Sequence, residues 1–271
     1  MKPVSSMNPL FYKAAVCVYR LRRRLLWLFS KNRYSSFLSK QDFPFIVTSH
    51  KSLLLRKLAG TDMTLQKNKV ESLKIATSSI NGVIIAPGEV FSFWKLVGNP
   101  VKRRGFTPGL QLSFGSLTSM VGGGLCQLTN LLHWMVLHSP LKVTERHRHS
   151  TDPFPDYKRK VPFGTGATVF YNYLDYTFLN DTKTEFQIKV WVEEEYLCGE
   201  IRSNKSLPVN YSVVEKQHKF VRRNNKVYRE NEIWILEKNK DSSAILSEKL
   251  CFKNHIEVLY DTSTISVEEE A

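Results

Sequence analysis

Val121-Gly122-Gly123-Gly124-Leu125-Cys126-Gln127-Leu128-Thr129-Asn130 joins three glycines to a cysteine and then to an apolar-periodic segment. Leu128, Leu131, Leu132, Met135 and Val136 recur at helical offsets rather than alternating. Ser139-Pro140 ends the run, because proline supplies no N–H for a further helical bond. The spacing predicts a helix of roughly three to four turns with Cys126 in its first turn. A helix N-terminus carries partial positive charge and unpaired N–H groups. Both favour a thiolate, so a thiol placed there can fall below its free pKa of about 8.5. The glycines let backbone approach a substrate closely, and their N–H groups can serve as oxyanion donors. A buried cysteine beside a tight turn is the plainer alternative.

Working outward, the segment from Val70 to Ile80 has helical spacing and stops at Asn81-Gly82. Val83 to Ala86 and Val90 to Trp94 read as short strands around the turn Pro87-Gly88-Glu89. Gly98 to Gly109 is a basic loop, and Leu110 to Met120 reads as a hairpin turning at Phe114-Gly115-Ser116. Beyond the central helix, Leu141 to His149 alternates. If extended, it puts Leu141, Val143, Glu145, His147 and His149 on one face. Strands are expected at 167–171, 174–179 and 186–192. Asp175 then sits among apolar neighbours, either capping a turn or orienting another side chain. His133 and His138, five residues apart on the central helix, read as packing or surface residues. Upstream, Phe43 to Val47 reads as a strand, and Leu53 to Leu58 as a short helix ending at Gly60.

The chain has 271 residues, 42% hydrophobic, with a net charge of +14. A core is therefore within reach, and the basic balance points to polyanionic partners. Cys17, Cys126, Cys198 and Cys251 offer neither CxxC spacing nor a disulfide framework, which suits a reduced compartment. Residues 1–40 contain no acidic side chain. Within them, residues 10–29 are apolar but interrupted by arginines, too short in apolar run to span a bilayer. Two readings stand. The segment is a basic amphipathic helix in peripheral contact with an anionic membrane, or its apolar face packs on the domain while the arginines stay wet; the second ranks first. The expected location is cytoplasmic or peripheral at the inner membrane face, with export by an atypical N-terminal segment an open alternative.

Several separate stretches, taken in order, resemble the VanW family. They are Pro87-Gly88-Glu89-Val90-Phe91-Ser92-Phe93, then Gly122-Gly123-Gly124-Leu125-Cys126-Gln127-Leu128-Thr129, then Glu145-Arg146-His147-Arg148-His149, and finally Ala167-Thr168-Val169 with Leu174 to Asp181. The match covers roughly residues 65–202. The resemblance implies a role near peptidoglycan and glycopeptide resistance. Some larger proteins with this domain are regarded as L,D-transpeptidases that use the motif cysteine. Carried over, it assigns Cys126 as nucleophile and His149 as base, with His147 second. In that chemistry Asp175 orients the imidazole, while Gly122, Gly123, Gly124 and Gln127 bind substrate or its oxyanion.

Two rival functions are weighed beside acyl transfer. Cys126, His147 and His149 could hold zinc. Alternatively, the glycine run cradles peptidoglycan or its precursor peptides without catalysis. No cofactor is expected. Nucleic acid is not an expected partner, since no binding motif accompanies the charge. The expected architecture is α+β: a central helix carrying the cysteine on an antiparallel sheet, with a β-rich C-terminal extension. Residues 1–40 would form a basic extension, 41–202 the main domain, 203–262 the β-rich part and 263–271 a disordered acidic tail.

Overall fold

Helical and alternating periodicities take turns along the chain, and the computed structural model follows them through most of its length. It describes residues 9–55, 63–113, 116–148, 151–152, 155 and 161–269. In order these form α1 (Pro9–Phe29), β1 (Arg33–Tyr34), β2 (Phe45–Leu53), α2 (Met63–Ser78), β3 (Val83–Ile85), β4 (Glu89–Ser92) and α3 (Phe93–Val97). The hairpin β5 (Pro108–Ser113) and β6 (Ser116–Val121) leads into α4 (Cys126–Leu137). Next come β7 (Lys142–Glu145), β8 (Thr151–Asp152), β9 (Thr177–Leu179), β10 (Phe186–Val192) and β11 (Tyr196–Ser203). The long strands β12 (Val209–Arg223), β13 (Lys226–Asn239) and β14 (Ile245–Val258) precede the short β15 (Glu268–Glu269).

The fold is α+β, with α4 seated on the antiparallel sheet β2-β11-β10-β3. Its apolar stripe, Leu128, Leu131, Leu132, Met135 and Val136, is buried throughout. At about 1.5–3 kcal/mol for each large apolar side chain removed from water, that stripe anchors the domain. Gly199 on β11 makes the seat possible. A Cβ there would lie 2.7 Å from Met135 Cε and 2.8 Å from Leu131 Cδ2. A second sheet, β1-β4-β9-β7, carries Phe91 and Phe178, whose rings stack at 4.4 Å. The third sheet, β15-β12-β13-β14-β8, is the β-rich extension. It is tied to the main domain by polar groups: buried Asn231 Nδ2 donates to Phe163 O at 2.9 Å, and half-buried Arg146 lies 4.0 Å over the Phe252 ring.

Several local expectations change. Leu53 ends a strand rather than starting a helix, because β2 pairs with β11 through Leu53↔Tyr196. Phe93 and Trp94 open α3 instead of extending β4, since Ser92 caps that helix by accepting from Lys95 N at 3.3 Å. The stretch 167–171 forms only isolated bridges, His147↔Thr168 and Phe170↔Leu174. The hairpin is confirmed, and its expected turn residues Phe114 and Gly115 lie outside the described residues. Within the segment read as an acidic tail, Glu268 and Glu269 pair in parallel with Val221 and Arg222.

The largest change concerns α1. The preferred expectation put its apolar face on the domain and its arginines in water. The structure departs from this: Arg20 and Arg23 face inward beside Trp27, while Arg22 and Arg24 stay exposed. Arg23 grips Glu145 through two hydrogen bonds, at 2.6 and 2.5 Å, and Arg20 lies 5.1 Å over the Tyr171 ring. Trp27 packs against the core and receives Lys95 Nζ at 5.2 Å. The inward arginines find a carboxylate and an aromatic face, so their burial is compensated.

Candidate functional site

Cys126 is the first residue of α4, after a turn in which Gly122 and Gly124 both adopt positive φ. Gly123 serves a different need. A Cβ on it would drive into the Gly109 carbonyl, so the crossing of β5 over the turn requires glycine there. The turn is fixed by Gly123 N donating to Met120 O at 2.8 Å and Gln127 N to Gly124 O at 3.0 Å. The Gln127 N–H is therefore engaged within the turn. Its side chain donates to Leu53 O at 2.8 Å and Ser52 Oγ at 3.0 Å, fastening α4 to β2.

Cys126 lines a cleft of about 470 Å³. Arg20, Lys69, Trp94, Gln127 and Tyr171 also line it, and among the described residues no carboxylate does. Trp94 and Tyr171 meet edge to face at 5.4 Å, while Lys69 donates to Leu54 O and Gln66 Oε1. Arg20 Nε is buried and has no hydrogen-bond partner among the described residues. The far wall, around 167–171, is held to α4 by Thr129 Oγ1 donating to Ala167 O and Ala167 N donating to Asn130 Oδ1. That brings Val169 O to 3.8 Å from Cys126 Sγ, and the thiol donates to it. Burial pushes the Cys126 pKa up. The helix start was expected to lower it, but the loss of solvent raises it more than the hydrogen bonds to the sulfur lower it.

The other nominated residues divide. His149 lies outside the described residues. His147 Nε2 donates to Glu145 Oε1 at 2.9 Å, and His147 does not line the cleft. Asp175 is fully buried behind the cleft wall, where Ser92 Oγ donates to it at 2.5 Å, Trp94 N at 3.0 Å and Tyr176 N at 2.9 Å. It thus caps α3 and fixes Trp94. Burial pushes its pKa up to about 6 despite those donors. Glu145 behaves in the opposite way. Burial alone would raise it, yet His147, both Arg23 donors and Asp175 N hold it at about 2. Among the described residues no group of three His, Cys, Asp or Glu side chains could hold a metal. Buried His133 meets Tyr176 Oη at 3.2 Å, a packing role as expected.

Sequence reading missed Arg20, Lys69 and Tyr171. Arg20 is far away in the chain, in a segment read as an appendage. Lys69 sits in a helix whose inward side also takes polar residues. Neither position has a motif around it.

Fold and site together define an α+β protein with a cysteine at the start of a buried helix, lining a cation- and aromatic-lined cleft. Residues 68–202 match the family model described as VanW like protein. The chain belongs to the VanW family. It is 31% identical over 227 residues to the vancomycin B-type resistance protein VanW of Enterococcus faecalis, a match covering 84% of this chain and 82% of that protein. It is also 29% identical over 115 residues to the uncharacterized protein YoaR of Bacillus subtilis, covering 42% of this chain and 36% of that one. No solved structure matches the chain.

Proposed function

We propose that this protein acts in glycopeptide resistance by binding the peptide part of peptidoglycan or its precursors, and that Cys126 is an acyl-accepting nucleophile. The observation that carries this is the cleft itself. Among the described residues it is lined by Cys126, by Arg20, whose Nε has no hydrogen-bond partner among them, and by aromatic rings, and by no carboxylate. An anionic peptide fits that lining: Arg20 takes a carboxylate and the aromatic rings take the apolar side chains.

In the proposed step, the thiol proton passes through His149 to the leaving amine. The Sγ–C bond forms as the C–N bond of the amide breaks, and water or a second amine later releases the thioester. Because burial favours the protonated thiol, activation accompanies substrate binding. Incubating the protein with muropeptides from digested peptidoglycan and measuring its intact mass tests this. Wild type gains an acyl mass that Cys126→Ala lacks. A second reading is favoured by the raised thiol pKa: the cleft binds the peptide without reacting. In that case Cys126→Ala binds muropeptides as wild type does, and neither protein gains mass.

A further inference from the structure

We infer that α1 lies on an anionic lipid surface through its outward face and holds the Cys126 cleft beside the headgroups. The inference stands on the helix itself and is independent of whether Cys126 reacts.

The domain takes the side of α1 that carries Arg20, Arg23 and Trp27. At 100° per residue, the opposite side carries Leu10, Val18, Leu21, Leu25 and Leu28 in one stripe. These side chains are 44–74% exposed, with Leu28 at 73% and Leu21 at 58%. Five large apolar side chains in a continuous line on a soluble surface mark a binding face. No element among the described residues covers them.

Charge identifies the occupant. Lys13 and Arg24 run along one edge of the stripe and Arg22 along the other, all exposed. Residues 1–40 contain no acidic side chain to offset them. A second copy would bring these basic edges against each other. An anionic bilayer receives the apolar stripe in its acyl boundary and the basic edges among its headgroups. The helix does not cross: no helix among the described residues is long and apolar enough to do so. It lies flat over its 21 residues, about 30 Å. Its inner face is locked to Glu145, so the domain cannot swing free while the helix is docked. Arg20, on the same helix, lines the cleft. The cleft is therefore about one helix diameter, roughly 10 Å, from the lipid.

Co-sedimentation of the full chain with vesicles tests this. Vesicles of phosphatidylcholine with about one third phosphatidylglycerol are compared with phosphatidylcholine alone. The protein binds the anionic vesicles, and the binding weakens with salt. Leu21→Glu with Leu25→Glu lowers binding more than about tenfold, with the far-UV spectrum unchanged because both side chains are exposed. A separate triple variant, Lys13→Gln, Arg22→Gln and Arg24→Gln, lowers it about a hundredfold, at about fivefold per basic residue. Equal binding to both vesicle types overturns the inference, as does undiminished binding by both variants. A lipid-independent dimer that dissociates on Leu21→Glu with Leu25→Glu would also overturn it and assign the face to a second copy.

Discussion

Replacing Glu145 by glutamine removes the charge that gathers Arg23, His147 and the Asp175 N–H at one point. The fold holds this carboxyl at about 2, against an ordinary 4.5. At about 1.4 kcal/mol for each tenfold in proton affinity, the difference corresponds to about 3 kcal/mol of folding stability. Its side chain is 23% exposed, so solvent screening removes little of that. The sign follows from the depressed value. The contribution is fully present above about pH 4.5 and is lost as pH falls towards 2. Urea unfolding of wild type and Glu145→Gln at pH 7, 4 and 2.5, followed by circular dichroism, measures it. The variant is less stable by about 3 kcal/mol at pH 7, and the gap closes as the pH approaches 2. Because Arg23 loses its ion-pair partner and keeps only Tyr173 O, trypsin also cuts the variant faster at Arg22 to Arg24. A gap that stays the same at pH 2.5, or one under about 0.5 kcal/mol at pH 7, would refute the reading of Glu145 as the charged anchor of α1.

Asp175 titrates in the opposite sense. Its carboxyl is raised from 3.8 to about 6, so wild type loses stability as pH climbs through that window, while Asp175→Asn stays flat; parallel profiles would contradict this. Iodoacetamide labels Cys126 slowly at pH 7 and faster as the pH climbs past 9, because burial keeps the thiol protonated; rapid labelling at pH 7 that vanishes in Cys126→Ala would reverse the assignment. Gly123→Ala pushes a methyl into the Gly109 carbonyl and lowers stability by about 2 kcal/mol or more, measured as a fall in Tm. Arg20→Met weakens binding of a peptide with a free carboxylate by about tenfold or more and leaves its amidated form unchanged; equal loss for both forms would detach Arg20 from carboxylate recognition.

Local pattern made much of this chain legible. The glycine turn, the start of α4 at Cys126, its end before Pro140 and the strands β3 and β10 follow from periodicity and turn residues, which act over a few positions. The α+β class follows from the same alternation. The sequence alone also marked Cys126 as a candidate nucleophile and the N-terminal 40 residues as basic.

Tertiary structure decided the rest, because each remaining question turned on what lies opposite a side chain. An amphipathic helix presents two faces, and its own sequence does not say which one meets the domain. For α1, the deciding partner was Glu145, more than a hundred residues away. The Cys126 thiol is raised by burial, against the lowering effect of its hydrogen bond to Val169 O, and that burial arises only from tertiary packing. Asp175 became a cap for α3 because Ser92 and the Trp94 N–H converge on it from another strand and helix. Short-range pattern fixes which residues form an element; the charge, solvent and partners each residue meets arise only when distant elements come together.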